Sequence, residues 1–151
     1  MKKSLLAAAA VVACLPILAS AQFAKTEDAI KYRQSAMTVM GQHFYRSIGP
    51  MTNDRIPFDA ATAKEDAAVI ATVSKLPWKA FGPGTDKGAE TRALPAVWSD
   101  SAKFTAAQKK LAGTMPKLLA AADTGDKAQI KAAVGEVGAA CKGCHDDFQK
   151  R

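Results

Sequence analysis

An all-α fold, an antiparallel four-helix bundle, is what this 151-residue sequence predicts. Three observations carry that prediction. Apolar residues recur at intervals of three and four in four separate segments, the period of a helix face and not of a strand. Glycine and proline punctuate those segments, leaving short connections at either end and one longer loop in the middle. The last segment, finally, places two cysteines on its apolar seam, which suits helices packed around a group held between them. No internal repeat, glycine-rich phosphate loop or Ser/His/Asp set is present.

The chain opens on a processing signal. Met1-Lys2-Lys3 precedes an apolar run from Leu5 to Leu18 and a small-residue site at Ala19-Ser20-Ala21. This is the pattern of a secretory signal peptide, residues 1–21, cleaved after Ala21, and the run is too short to leave a membrane anchor. Val11-Val12-Ala13-Cys14 loosely resembles a lipoprotein box, but the apolar run continues past Cys14 to the better site. Residues 22–151 then form one domain with two cysteines, both in one motif, so no structural disulfide is expected in an oxidising compartment. Loss of Lys2 and Lys3 takes the formal charge from +7 to about +5. The cations are scattered, which excludes a nucleic-acid footprint. They read mainly as solvated helix faces, with docking to an acidic redox partner as the lesser reading.

The first helix begins near Thr26, a candidate N-cap followed by Glu27 and Asp28, and runs to about Ile48. Ile30, Arg33, Met37, Met40, Phe44 and Ile48 form its inward stripe. Arg33 interrupts that stripe: a buried arginine calls for an anionic partner, unless its head reaches solvent at the stripe's edge. Gly49-Pro50 ends the helix, and residues 51–57 form a loop. Asp59 caps a second helix whose apolar face includes Ala63, Ala67, Ile70, Val73 and Leu76, and Pro77 stops it. Trp78 and Phe81 lead into the longest irregular stretch, which continues through Gly82-Pro83-Gly84-Thr85 to Arg92; its aromatics either wall a ligand or anchor the loop in the core. Ser99 caps a third helix carrying Phe104, Ala107, Leu111, Met115, Leu118 and Ala122, with a kink or displaced turn expected at Pro116. Thr124-Gly125-Asp126 turns the chain into a fourth helix, antiparallel to the third, whose Ile130, Val134, Val137, Cys141, Cys144 and Phe148 form a bundle seam. Gly135 and Gly138 remove bulk before the thiols, where a flat macrocycle can approach the backbone.

Cys141-Lys142-Gly143-Cys144-His145 carries the chemistry. C-x-x-C-H supplies two thiols for thioether bonds to haem vinyl groups and one imidazole for the iron. Residues three and four apart share a helix face, so all three groups reach one ligand. A thioredoxin-type dithiol instead expects its first cysteine at a helix N-terminus beside a βαβ pattern. Structural zinc needs four ligands, and outside the motif only His43 remains. Export and haem attachment agree, and one covalently bound haem c is expected.

At these residues the chain resembles the cytochrome c′ family, the class II c-type cytochromes. The resemblance runs from Gln22 to the C-terminus through Lys31-Tyr32-Arg33-Gln34-Ser35-Ala36, Leu76-Pro77-Trp78, Phe81-Gly82-Pro83-Gly84-Thr85, Trp98-Ser99-Asp100 and the terminal C-x-x-C-H. It implies a periplasmic four-helix bundle, a homodimer packed through the first two helices with Gly41 permitting close approach, and a high-spin haem whose distal iron position is open. It implies thioethers at Cys141 and Cys144, axial ligation by His145, and Arg33, Gln34 and Glu90 as haem neighbours. One departure stands out: many members carry a basic residue four positions after the histidine, and this chain has Gln149.

The function expected is that of a non-enzymatic haem protein which transfers single electrons and binds nitric oxide or carbon monoxide at five-coordinate iron. A peroxidase would need a distal acid/base group, and His43, the only candidate, lies off the inward stripe. A thiol oxidoreductase would need its cysteines unattached. Met37, four residues after Arg33, should lie over the ring opposite His145. As a packing residue it leaves the gas site open. As a ligand, as in the low-spin cytochrome c-556 group, it would make a six-coordinate electron carrier. Trp78 and the Phe81-to-Thr85 loop favour the open site. No residue pattern names the redox partner.

Overall fold

The structure, a computed structural model, describes residues 23–151, and the expected signal peptide lies outside the described residues. Four helical rods make the bundle. The first comprises α1 (Thr26–His43), a π-helical turn (Phe44–Ile48) and α2 (Gly49–Thr52). Lys25, not Thr26, is its N-cap, and no side chain caps it. The rod also runs past Gly49-Pro50, where the sequence placed its end, and the π turn supplies the reason. Proline breaks an α-helix because it lacks an N–H and its ring meets the carbonyl four residues back. Here the Gly49 N–H already bonds to the Phe44 carbonyl, five residues back, so Pro50 enters a widened ladder at the first turn of α2. The rod closes at Asn53, whose N–H reaches the Gly49 and Pro50 carbonyls.

α3 (Ala60–Val73) begins where Asp59 accepts the Thr62 N–H at 2.7 Å, the expected cap. A 3-10 turn (Pro77–Phe81) then opens the central segment, and a short α4 (Ala96–Ser99) closes it. Ser99 therefore ends a helix instead of starting one. Asp100 caps α5 (Ser101–Thr124), accepting the Lys103 N–H at 3.1 Å. α5 runs without interruption through Pro116. Gly125, at φ 67°, takes the left-handed turn, and Asp126 caps α6 (Lys127–Phe148) by accepting the Gln129 N–H at 2.8 Å.

The two-residue link makes α5 and α6 packed neighbours, α3 lies on α5, and α1 on α3 and the 3-10 turn. Ile48, Ile70, Leu118, Ile130 and Val137, drawn from all four rods, are fully buried at the centre. Each such side chain contributes about 2 kcal/mol by leaving water. A smaller aromatic cluster, Trp78, Phe81, Phe104 and Phe148, occupies the end of the bundle where α6 finishes. Among the described residues there is no strand, only an isolated antiparallel bridge between Ala93 and Gln149.

Candidate functional site

A cavity of about 610 Å³ lies between α1 and α6, with α3, α5 and the central segment completing its walls. Its size falls in the range of small-molecule and cofactor sites. Cys141, Cys144 and His145 line it together from α6. Burial, and secondarily Cys144, pushes the Cys141 thiol up to about 11, and burial and Asp147 raise Cys144 as well. Both thiols are thus protonated at neutral pH, the opposite of a dithiol tuned for exchange. His145 stands at the cavity's exposed rim. Partial burial and then the Arg92 cation hold its pKa below the ordinary value, against Asp146, which favours the neutral imidazole that ligates metals.

The facing wall comes from α1 and the π turn: Arg33, Gln34, Met37, Met40, Gly41, Phe44 and Tyr45 all line the cavity. Met37 lines this wall, and Met40 shares it with a second thioether. Gly41 faces the cavity, and a Cβ there would meet the Tyr45 ring at 3.8 Å. Arg33 is buried and reaches neither solvent nor a carboxylate. Its guanidinium donates to the Ala80 carbonyl (2.9 Å), the Thr85 hydroxyl (3.1 Å) and carbonyl (2.9 Å), and the Thr91 hydroxyl (3.1 Å), and it stacks 4.4 Å over the Phe81 ring. It clamps the central segment against α1. Gln34 lines the cavity and donates to the Glu90 carbonyl at 2.9 Å; the Glu90 side chain is outside the lining.

Trp78 and Phe81 do both things that the sequence left open, lining the cavity while packing on Phe104 at 6.2 and 5.1 Å between ring centres. His43 lies outside the lining, its Nδ1 2.6 Å from Asp66 Oδ1. Gly138 does not leave room for a ligand. A Cβ there would sit 3.4 Å from Phe44 Cζ, so the ring already fills the space. Gly135 opens instead on a second, smaller cleft.

Sequence reasoning missed Arg92 and Tyr45. Arg92 reaches the site only because residues 92–94 are fastened to the C-terminus: Leu94 N–H donates to the Phe148 carbonyl at 2.9 Å, Lys150 N–H to the Arg92 carbonyl at 2.8 Å, and the Arg92 guanidinium to the Lys150 carbonyl. Gln149, paired across this bridge with Ala93, also lines the cavity. Tyr45 follows Phe44 directly in the π turn, and both border the cavity.

The donor set fits a c-type haem: two thiols three residues apart, an imidazole next to the second, and a lining of aromatic and thioether groups around them. Comparison with known proteins agrees. A protein-family model described as Cytochrome C' matches residues 28–149. The chain is 58% identical over 130 residues to cytochrome c' of Rubrivivax gelatinosus, covering 86% of this chain and all of the relative, and 50% identical to that of Alcaligenes xylosoxydans xylosoxydans, covering 86% and 99%. The crystal structure of the Rubrivivax gelatinosus protein superposes with a TM-score of 0.82 over 85% of this chain and 100% of its own. A nitric oxide complex of a mutant of the Alcaligenes xylosoxidans protein superposes at 0.78, 48% identical, over 86% of this chain and 99% of its own. With the fold, the C-x-x-C-H helix and these matches in agreement over the whole bundle, the chain belongs to the cytochrome c′ family.

Proposed function

We propose that this chain holds one haem c through thioethers at Cys141 and Cys144 with His145 as axial ligand, and that it is a periplasmic, non-enzymatic protein which transfers single electrons and binds nitric oxide or carbon monoxide at five-coordinate iron. The observation that carries the reading is the convergence of both thiols and the imidazole from one helix face into one large, largely apolar cavity. The nitric oxide complex of the Alcaligenes xylosoxidans relative supports the gas ligand.

When bound, the haem supplies a one-electron couple and a coordination position for a diatomic gas. The rest is done by the chain. Cys141 and Cys144 fix the group's orientation against α6, and a neutral His145 offers its ring nitrogen. Met37, Met40 and Phe44 line the α1 side of the cavity, where they would exclude water and crowd an incoming gas. Arg33 holds the Phe81 wall in place. His43, the distal acid/base candidate, is committed to Asp66 outside the lining, and this supports a carrier in place of a peroxidase.

The absorption spectrum of the holoprotein tests the reading: a high-spin spectrum that shifts on adding carbon monoxide to the reduced protein is expected. A second reading rests on the thioether wall, with Met37 as sixth ligand of a low-spin carrier resembling cytochrome c-556. A low-spin spectrum with a methionine-to-iron charge-transfer band, abolished in Met37→Leu, would establish it; loss in Met40→Leu instead would assign the ligand to Met40. A homodimer through α1 and α3 belongs to the same proposal, supported by Val39 exposed at 41% on α1. Sedimentation at high micromolar concentration should give the dimer mass, and a monomer there removes the dimer from the proposal.

A further inference from the structure

A second cleft of about 360 Å³ lies where the π turn faces α6, lined by Tyr45, Asn53, Arg55, Lys131 and Gly135 among others. It shares Phe44 and Tyr45 with the large cavity, so the two aromatic rings are the partition between them. Tyr45 is 58% exposed and stands edge-on to buried Phe44 at 4.8 Å. Phe44 in turn packs on Gly138, one turn before Cys141.

The charge on this cleft is one-sided. Its local carboxylate, Asp54, is taken up by Lys127. Arg55 and Lys131 form no ion pair among the described residues. Two free cations beside an exposed tyrosine, over a floor of Phe44, Pro50 and Val134, make a surface for carboxylates and not for a cationic or neutral partner. Tyrosine and arginine are also the side chains that most often anchor interfaces.

We propose that this cleft is the docking site of an acidic polypeptide, the protein's electron-transfer partner, with Phe44 and Tyr45 as the short path between that partner and the cysteine-bearing face of α6. The proposal rests on the one-electron reading above. In each exchange one electron crosses, and the partner is oxidised as this protein is reduced, or the reverse.

The test uses the reduced holoprotein with hexacyanoferrate(III) as an anionic oxidant, which becomes hexacyanoferrate(II), and hexaammineruthenium(III) as a cationic one. In Arg55→Gln/Lys131→Gln the rate with hexacyanoferrate(III) should fall about tenfold at low ionic strength, a loss that fades as added salt shortens the Debye length. The rate with hexaammineruthenium(III) should not fall. Poly-L-glutamate should slow the wild-type reaction with hexacyanoferrate(III) and leave that of the double variant unchanged. Lys109→Gln/Lys110→Gln, on the exposed face of α5, removes the same charge elsewhere and should stay near the wild-type rate. An equal loss in that control, no loss in the cleft variant, or equal competition by poly-L-glutamate in both overturns the docking site. Wild-type protein that exchanges electrons with neither reagent overturns the one-electron reading itself.

Discussion

Arg33 is only 3% exposed yet carries a full charge, so its surroundings have to replace the water it has lost. They do so chiefly with neutral groups, Asp86 adding a more distant favourable charge. Four oxygens of the central segment accept its protons, and Phe81 and Trp98 lie under the guanidinium at 4.4 and 5.6 Å. Removing it leaves buried carbonyls at Ala80 and Thr85 unpaired, and hydrogen bonds from a charged donor are the strong ones. Arg33→Ala should therefore cost about 3 kcal/mol in urea unfolding, with Arg33→Lys recovering part of it. A loss below about 0.5 kcal/mol would mean that the clamp is not structural. Asp59 makes a pH prediction of the same kind. Its hydrogen bonds to Thr62, the backbone one first, hold its pKa below the ordinary aspartate value. On acidification the unfolded chain takes up this proton first, so the cap's contribution is present above that value and is lost as pH falls through the lowered folded-state pKa. Asp59→Asn, which still caps, should flatten that part of the acid limb of the thermal midpoint; an unchanged limb would show that the cap does not titrate with folding.

At the level of whole elements, the helix start marked by Asp59 was the easiest to read, and Asp126, read only as part of a turn, does the same work. Asp59 and Asp126 each stand directly before an apolar repeat, and both accept the N–H three residues on. Asp126→Ala should lower stability by about 1 kcal/mol, measured by thermal or urea unfolding, because it releases the N-terminus of the helix that carries Cys141, Cys144 and His145. An unchanged midpoint would show that α5 alone holds that end. The start of α5 was harder, since Ser99, Asp100 and Ser101 are all competent caps and only the tertiary placement of α4 selects Asp100. The π turn was not legible at all. It leaves Phe44, Ile48 and Met51 buried at spacings an ordinary helix also gives, and so hides in the periodicity while carrying the rod past Pro50. The site divides along the same line. Cys141, Cys144 and His145 are neighbours in sequence and needed only a helix to converge, whereas Arg92 and Gln149 meet there through a backbone bridge between residues far apart in the chain.

For the molecule as a whole, the cavity is too large to be a packing defect. Left unfilled, about 610 Å³ of largely apolar space, open at its rim, denies its walls the packing contacts that a bound group would supply. The bundle is therefore not expected to keep this shape without the group that fills it. Filling acts twice, by removing apolar surface of the half-buried Trp78, Phe81, Met37 and Met40 from water and by mass action on the folded state, which alone binds the group in this geometry. Loss of attachment should then be felt far from the motif. Cys141→Ala and Cys144→Ala singly should each leave at most one thioether, visible as haem that resists acid-acetone extraction only in part. The double variant should bind haem loosely or not at all, and in its haem-free form lose helicity, expand in size-exclusion chromatography and melt at lower temperature than the holoprotein. The half of the α5–α6 hairpin nearest its turn should be the part that persists, because its Ile130 and Leu118 lie outside the cavity lining. Hydrogen exchange can separate these regions, with amides of α1 losing protection before those in the first half of α6. A haem-free double variant with the holoprotein's helicity, size and melting temperature would show that packing among the four rods suffices, and that the cavity is a feature the bundle tolerates unaided.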